Sequence, residues 1–206
     1  MLVPPLCWGC AGIARRGEPL CARCRLRMHR LAGEPVLLCG LRVWAPVAYA
    51  GPARELVRAL KFSGGTRVAD AMAAQIAANA PAGLLGDATL VPVPLHPRRL
   101  RSRGYNQAGV IAAALALRTG MDAADCLARA GSAATQVGRR RAERRAGPAG
   151  QVQLAGARPE RRPPARVVLV DDVATTGATL AACARALLAA GCGEIAAVTF
   201  ARTIGR

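Results

Sequence analysis

The sequence predicts an α/β protein, a parallel sheet flanked by helices, with a small cysteine-bearing module ahead of it. Three observations lead there. Apolar runs at Thr89–Val93, Val167–Val170 and Ile195–Phe200 have the length and β-branched content of buried strands. Segments of helical periodicity separate them, and strands that alternate with helices imply parallel pairing with helices on the faces of the sheet. The first 39 residues break this rhythm, because they hold two Cys-x2-Cys pairs among scattered Pro and Gly. A chain of 206 residues suffices for one full core with a small appendage. The expected division is therefore a module over 1–39 and a main domain over 40–206.

The elements follow in order. Arg42–Tyr49 reads as the strand entering the main domain, and Pro46 within it points to a sheet edge, since proline cannot donate to a ladder. Pro52 opens a helix over Ala53–Lys61 with Leu56, Val57 and Leu60 on one face. Gly64 and Gly65 end it, and Thr66 caps a second helix that runs to about Asn79. After the strand at 89–93 comes a loop dense in arginine, then a helix from about Asn106 to Leu117. Residues 131–150 are polar and rich in Gly and Arg, and are not expected to hold one conformation unaided. A helix from about Thr179 to Ala190, stopped by Gly191, joins the last two strands.

Lys and Arg number 29 against 12 Asp and Glu, a formal net charge of +17. Such a field favours anionic partners: nucleic acid, phosphorylated metabolites or a membrane surface. Lys61 is the sole lysine among these bases. No run approaches the roughly 18 apolar residues of a membrane span. The start, Met1–Leu6, lacks the basic and apolar regions of a secretory signal. A cytoplasmic protein without membrane insertion is expected, and eight cysteines in that setting argue against a disulfide framework.

The sharpest chemistry lies in Val167–Thr179. A hydrophobic strand ends in Asp171 and Asp172, and Val173, Ala174, Thr175, Thr176, Gly177, Ala178 and Thr179 follow before a helix. Ligands of parallel sheets bind at the carboxyl ends of the strands. Small loop residues let backbone N–H groups approach phosphate oxygens, and the helix N-terminus adds partial positive charge. Thr175, Thr176 and Thr179 supply hydroxyl donors, and Gly177 permits a tight turn. Asp171 and Asp172 suit the 2′- and 3′-hydroxyls of a ribose, and either suits a divalent cation. The Gly-Lys-Ser/Thr of a Walker loop and the spaced glycines of a dinucleotide fingerprint are absent. A ribose 5-phosphate, and hence phosphoribosyl pyrophosphate (PRPP), is the expected ligand.

Cys7-x2-Cys10 and Cys21-x2-Cys24 place four thiols in two tight turns separated by ten residues. That spacing suits one tetrahedral Zn²⁺, with Zn–S of about 2.3 Å, and the metal would supply folding energy that so short a module lacks. His29 and Cys39 are candidate substitute ligands. Cys126, Cys183 and Cys192 stand singly and read as small core or surface residues.

The segment 167–179 resembles the PRPP motif of type I phosphoribosyltransferases. The rest of the chain resembles one branch of them, the ComF competence-protein family, which includes the GntX-type proteins. The resemblance rests on the two cysteine knuckles, on Leu56–Phe62, on Leu90–Ala108, on Thr135–Arg145 and on the phosphate loop. It implies a type I phosphoribosyltransferase-like sheet behind a zinc-ribbon-like module, with structural Zn²⁺ and with Mg²⁺ accompanying PRPP. It also implies that Arg98, Arg99, Arg101 and Arg103 form a pyrophosphate loop, and that Gln136, Arg139 and Arg144 belong to a flexible loop closing over the substrate. Asp171, Asp172, Arg103 and Arg139 are then the candidate catalytic residues. Two departures stand out. Many relatives carry a further cysteine pair near 36–42, where this chain has Cys39, and the run 146–151 lacks an Asn and an aromatic often seen there.

Two functions follow from the resemblance. One is a PRPP-binding accessory factor of DNA uptake or nucleic acid metabolism. The other is an enzyme, a phosphoribosyltransferase moving phosphoribose from PRPP to a base or amine with release of pyrophosphate. No residue is placed as a general base for the second. A third arginine run, Arg158–Arg166, has no catalytic duty and suits charge-driven contact with single-stranded DNA. The few aromatics argue against base-specific reading.

Overall fold

A computed structural model describes residues 5–62, 66–129, 152–155 and 164–205. Its main sheet has six strands. The hairpin β1 (Val36–Leu38) and β2 (Leu41–Trp44) comes first, then β3 (Val47–Ala48), β4 (Thr89–Pro92), β7 (Arg166–Ala174) and β8 (Glu194–Arg202). The order across the sheet is β1-β2-β8-β7-β4, with β3 paired to the far end of β8. All pairings are parallel except that within the hairpin. Between β4 and β7 in the chain lies a small antiparallel pair, β5 (Leu127–Arg129) and β6 (Val152–Leu154).

β7 sits between β4 and β8, so both its ladders are filled. Val167–Val170 face Thr89–Pro92 on one side and Ile195–Val198 on the other. All four residues have no exposed surface. Burial on both faces is why this strand reads as a continuous apolar run and not as an alternation.

Helices cover both faces. On one lie α2 (Gly51–Phe62), α3 (Thr66–Asn79) and α5 (Gln107–Thr119). Their Leu56, Leu60, Met72, Ile76, Ile111 and Leu115 pack on Val168, Val170, Val198 and Phe200. On the other lies α6 (Ala178–Ala189), whose Leu180, Cys183 and Leu187 meet Val167, Leu169 and Ala197. The β5–β6 pair extends this second layer through Leu127, Val152 and Leu154. In the cysteine segment a short helix, α1 (Ala22–Leu26), follows the second knuckle. Cys7, Leu20, Cys24 and Met28 join the same apolar cluster as Leu56 and Val57 of α2.

Two elements differ from expectation. The entering strand is not at the edge, because β1 folds back to pair with β2, and Pro46 instead separates β2 from β3. Pro46 gives up no ladder bond in that gap, and its carbonyl accepts from Leu31 N at 2.9 Å. The arginine-dense segment is a helix, α4 (Pro97–Arg103), where a loop was expected. His96 caps it, its Nδ1 accepting from Arg98 N at 3.2 Å, Pro97 opens it, and Gly104 at φ +79° closes it. These are helix start and stop signals, overshadowed in the sequence by the run of charge.

Candidate functional site

The carboxyl end of β7 organises the site. Asp171 and Asp172 are its sixth and seventh residues, followed by Val173 and Ala174, the turn Thr175–Gly177 and the first turn of α6. Gly177 takes the left-handed conformation at φ +79° and stands as the N-terminal cap of the helix. Thr175, Thr176 and Ala178 are exposed, and Thr179 is half-buried. Thr176 Oγ1 accepts from Ala178 N at 3.3 Å. Thr203, just beyond β8, braces the turn by donating from N to Ala174 O at 3.0 Å. The result is a hydroxyl-bearing turn at the start of a 12-residue helix, whose first amides have no intrahelical partner.

Alternation along β7 sends the two acids to opposite faces. Asp172, 8% exposed, faces α2, where Lys61 Nζ lies 3.0 Å from its Oδ2. The ammonium stands off the direction of a hydrogen bond, so charge is paired while that buried oxygen keeps an unmet acceptor capacity. Asp171 turns toward the α6 side, and its Oδ1 accepts from Asp172 N at 2.8 Å. Burial, and then the neighbouring Asp172 carboxylate, push the Asp171 carboxyl well above the usual carboxylate range.

The segment after β4 forms a second wall. Of the four arginines expected there, Arg98, Arg99 and Arg101 project to solvent. Arg103 is held: its Nη1 donates to Gln107 Oε1 at 2.9 Å, and its guanidinium lies 5.8 Å from the centroid of the Phe62 ring. Tyr105 OH donates to Leu60 O. Asn106 ties the segment together, because Nδ2 donates to Val93 O at 3.0 Å while Oδ1 caps α5 by accepting from Ala108 N. The Tyr-Asn-Gln run thus orients Arg103 and docks the segment on the end of α2.

Arg129, at the end of β5, drew no notice in the sequence. Its Nε donates to Pro94 O at 3.0 Å and its Nη2 to Thr179 Oγ1 at 3.5 Å. One half-buried cation therefore links the end of β4 to the first turn of α6. A lone arginine after an apolar pair carries no local signal that would single it out. Gln136, Arg139 and Arg144, expected in a closing loop, lie outside the described residues. Of the third arginine run, Arg166 is described. It donates to Gly83 O and sits 3.3 Å from Glu194 Oε2, at the amino end of β7 and away from the turn at 175–177.

The sulfurs of Cys7, Cys10, Cys21 and Cys24 all lie within 4.8 Å of one another. Cys10 and Cys21 stand 3.8 Å apart, close to the roughly 3.8 Å that tetrahedral ligation at Zn–S distances implies. Burial works against ionising Cys7, but N–H groups of Cys21, Gly9 and Cys10 outweigh it and bring the thiol down to about 6. Cys24, buried and beside the other sulfurs, is pushed up to about 12. The donor set fits a thiophilic metal. Cys39 and His29 do not join it. Cys39, at φ +49° in the β1–β2 turn, donates from Sγ to Thr176 O at 3.2 Å on the turn that follows β7, and His29 is exposed.

With this geometry in view, comparison with known proteins defines the class. Residues 102–205 match the phosphoribosyl transferase domain, and the chain belongs to that family, within its ComF-type branch. It is 30% identical to DNA utilization protein YhgH of Salmonella typhi, over 99% of this chain and all of that protein. The protein of the same name from Escherichia coli K12 is 28% identical over the same shares. Among solved structures, orotate phosphoribosyltransferase from Aeropyrum pernix aligns over 82% of this chain and 73% of its own, at 23% identity and a TM-score of 0.40. Among the described residues no helix is long and apolar enough to cross a membrane.

Proposed function

We propose that this protein binds PRPP at the carboxyl end of β7 and serves, as a ComF-type factor, in DNA uptake or nucleic acid metabolism. One observation carries the reading: two acids on a buried parallel strand lead into an exposed hydroxyl turn at the start of a long helix. Helix N-termini with small residues grip phosphate, and carboxylates at that strand end suit sugar hydroxyls. In this reading Ala174–Thr179 hold the 5-phosphate and Asp171 and Asp172 accept from the ribose. Arg98, Arg99, Arg101 and Arg103 meet the pyrophosphate, and Gln136, Arg139 and Arg144 close over it. The Asp171 carboxylate at this strand end offers the hard oxygen donors that Mg²⁺ prefers, and Mg²⁺ when bound would neutralise pyrophosphate charge. Residues 1–39 act as a zinc module held by Cys7, Cys10, Cys21 and Cys24, and 40–206 as the PRPP-binding domain. The eight unpaired cysteines suit a reducing compartment, the cytoplasm.

The DNA role rests on the relatives' name and on the net charge of +17. Calorimetry with PRPP and Mg²⁺ tests the site: wild type should bind, and Asp171→Asn with Asp172→Asn should not. Equal affinity in the two proteins would remove the assignment. Pyrophosphate release across a panel of nucleobases and amines separates the two functions. Acceptor-dependent turnover would make the protein a phosphoribosyltransferase. Salt-sensitive binding of single-stranded DNA without turnover would support the uptake factor.

A further inference from the structure

The last turn of α2 touches three parts of the site through three successive residues. Leu60 O accepts from Tyr105 OH, Lys61 Nζ pairs with Asp172, and Phe62 lies beneath the Arg103 guanidinium. Tyr105 thus fixes the backbone just before Lys61, and Arg103 stands against the exposed ring of Phe62 just after it, which limits where the ammonium can go. The Lys61 side chain is 27% exposed and that of Asp172 is 11% exposed, so the pair is well screened from water. A carboxylate this buried requires a compensating charge, and among the described residues Lys61 is the cation that pairs with it.

The sequence left two duties open for Asp172: accepting from a sugar hydroxyl or holding a divalent cation. The pairing discriminates between them. A cation already stands 3.0 Å from Oδ2, and a second cation on the same carboxylate would meet its repulsion. Oδ2 is sealed against Lys61, and the 11% of the Asp172 side chain that stays exposed leaves the carboxylate open to a neutral donor, which a ribose hydroxyl supplies.

We propose that Lys61 is a positioning residue that holds the Asp172 carboxylate in place as an acceptor for a ribose hydroxyl of PRPP. This rests on the PRPP reading above and adds a residue from outside the phosphate and pyrophosphate loops. Its consequence is selectivity. Lys61 supports binding of the sugar through Asp172 and leaves the grip on pyrophosphate unchanged.

The test is a double-mutant cycle read by calorimetry with Mg²⁺ and either PRPP or inorganic pyrophosphate. Variants are Lys61→Met, Lys61→Gln, Lys61→Arg, Asp172→Asn and Lys61→Met with Asp172→Asn. Lys61→Met and Lys61→Gln should weaken PRPP at least tenfold and change pyrophosphate less than twofold. Lys61→Arg should recover most of the loss. In the Asp172→Asn background, Lys61→Met should add less than a twofold effect, because its target is gone. That double variant leaves no buried charge unpaired, and Lys61→Gln keeps a donor, so folded proteins remain if Lys61→Met fails to fold.

Tighter PRPP binding in Lys61→Met would make the lysine a competitor and overturn the proposal. So would an equal loss in the presence and absence of the Asp172 carboxylate, which would mean that Lys61 touches the ligand itself. If Asp172→Asn weakens PRPP and the Lys61 variants do not, this inference alone falls. If Asp172→Asn leaves PRPP unaffected, the sugar site falls and this inference with it.

Discussion

Leu38 stands against Gly177 so closely that a Cβ on the glycine would lie 2.6 Å from the Leu38 Cβ and 3.3 Å from its carbonyl oxygen. The turn of the β1–β2 hairpin therefore forms the back wall of the turn Thr175–Gly177, and Cys39 completes the contact through Thr176 O. Gly177→Ala meets two obstacles. The left-handed backbone costs a β-carbon about 1–2 kcal/mol, and overpacking adds about 1–3 kcal/mol. Urea denaturation should show a loss within the sum of those ranges, and PRPP binding should fall below detection. A variant of wild-type stability would mean that the hairpin does not press on the loop.

Arg129 joins Pro94 O to Thr179 Oγ1, so it sets the spacing between the end of β4 and the start of α6. Charge-assisted hydrogen bonds contribute about 1.5–3 kcal/mol each where they are made well. Arg129→Met should weaken PRPP at least tenfold while the metal content stays at the wild-type level, with calorimetry and metal analysis as the measurements. Arg129→Lys should rescue only in part, because an ammonium cannot reproduce the two-pronged donor geometry.

The Asp171 carboxyl is raised above its unfolded value by burial and by Asp172. Below the unfolded carboxylate range the group is protonated in both states and imposes no penalty. As pH rises, the unfolded chain loses the proton first, and the folded state is progressively disfavoured. Asp171→Asn keeps an oxygen for the Asp172 amide and removes the ionisable group. Its melting temperature should exceed that of wild type at neutral pH, with the gap closing toward pH 4, while its PRPP affinity falls. Melting curves across pH that run parallel for the two proteins would contradict this.

In the metal-free protein Cys7 titrates at about 6 and Cys24 at about 12. At pH 7.5 Cys7 is already a thiolate, whereas Cys24 keeps its proton until a metal displaces it. Zinc binding at that pH should release protons, measured as a dependence of the calorimetric heat on buffer ionisation enthalpy. Proton-neutral binding would argue against four-thiolate ligation. Cys7→Ser with Cys10→Ser should lose the metal and loosen residues around Leu20 and Met28, which pack on α2. Unchanged hydrogen exchange there would contradict a stabilising role for the metal.

Much of the framework was legible because its signals are local. Val167–Val170 is apolar enough to be read as a buried strand, and the acids and hydroxyls follow it without interruption. The cysteine pairs were equally plain, since two tight turns can be seen from spacing alone. The α4 helix was missed because arginine density obscured its His-Pro start and Gly104 stop. The β1–β2 hairpin was missed because β1, with three residues, leaves too short a pattern to register.

The chemical types at the site are contiguous in the chain, and the sequence by itself determined those: the parallel α/β class, a hydroxyl-bearing turn behind an acid pair, and four thiols in two knuckles. Which residues press on them was decided only by tertiary structure. Arg129 and Thr179 are 50 positions apart, and Cys39 and Thr176 are 137 apart. Lys61 meets Asp172 because α2 packs over Val168 and Val170 and brings its last turn to the strand end. Contacts of that kind come from how buried faces stack, which no local spacing encodes.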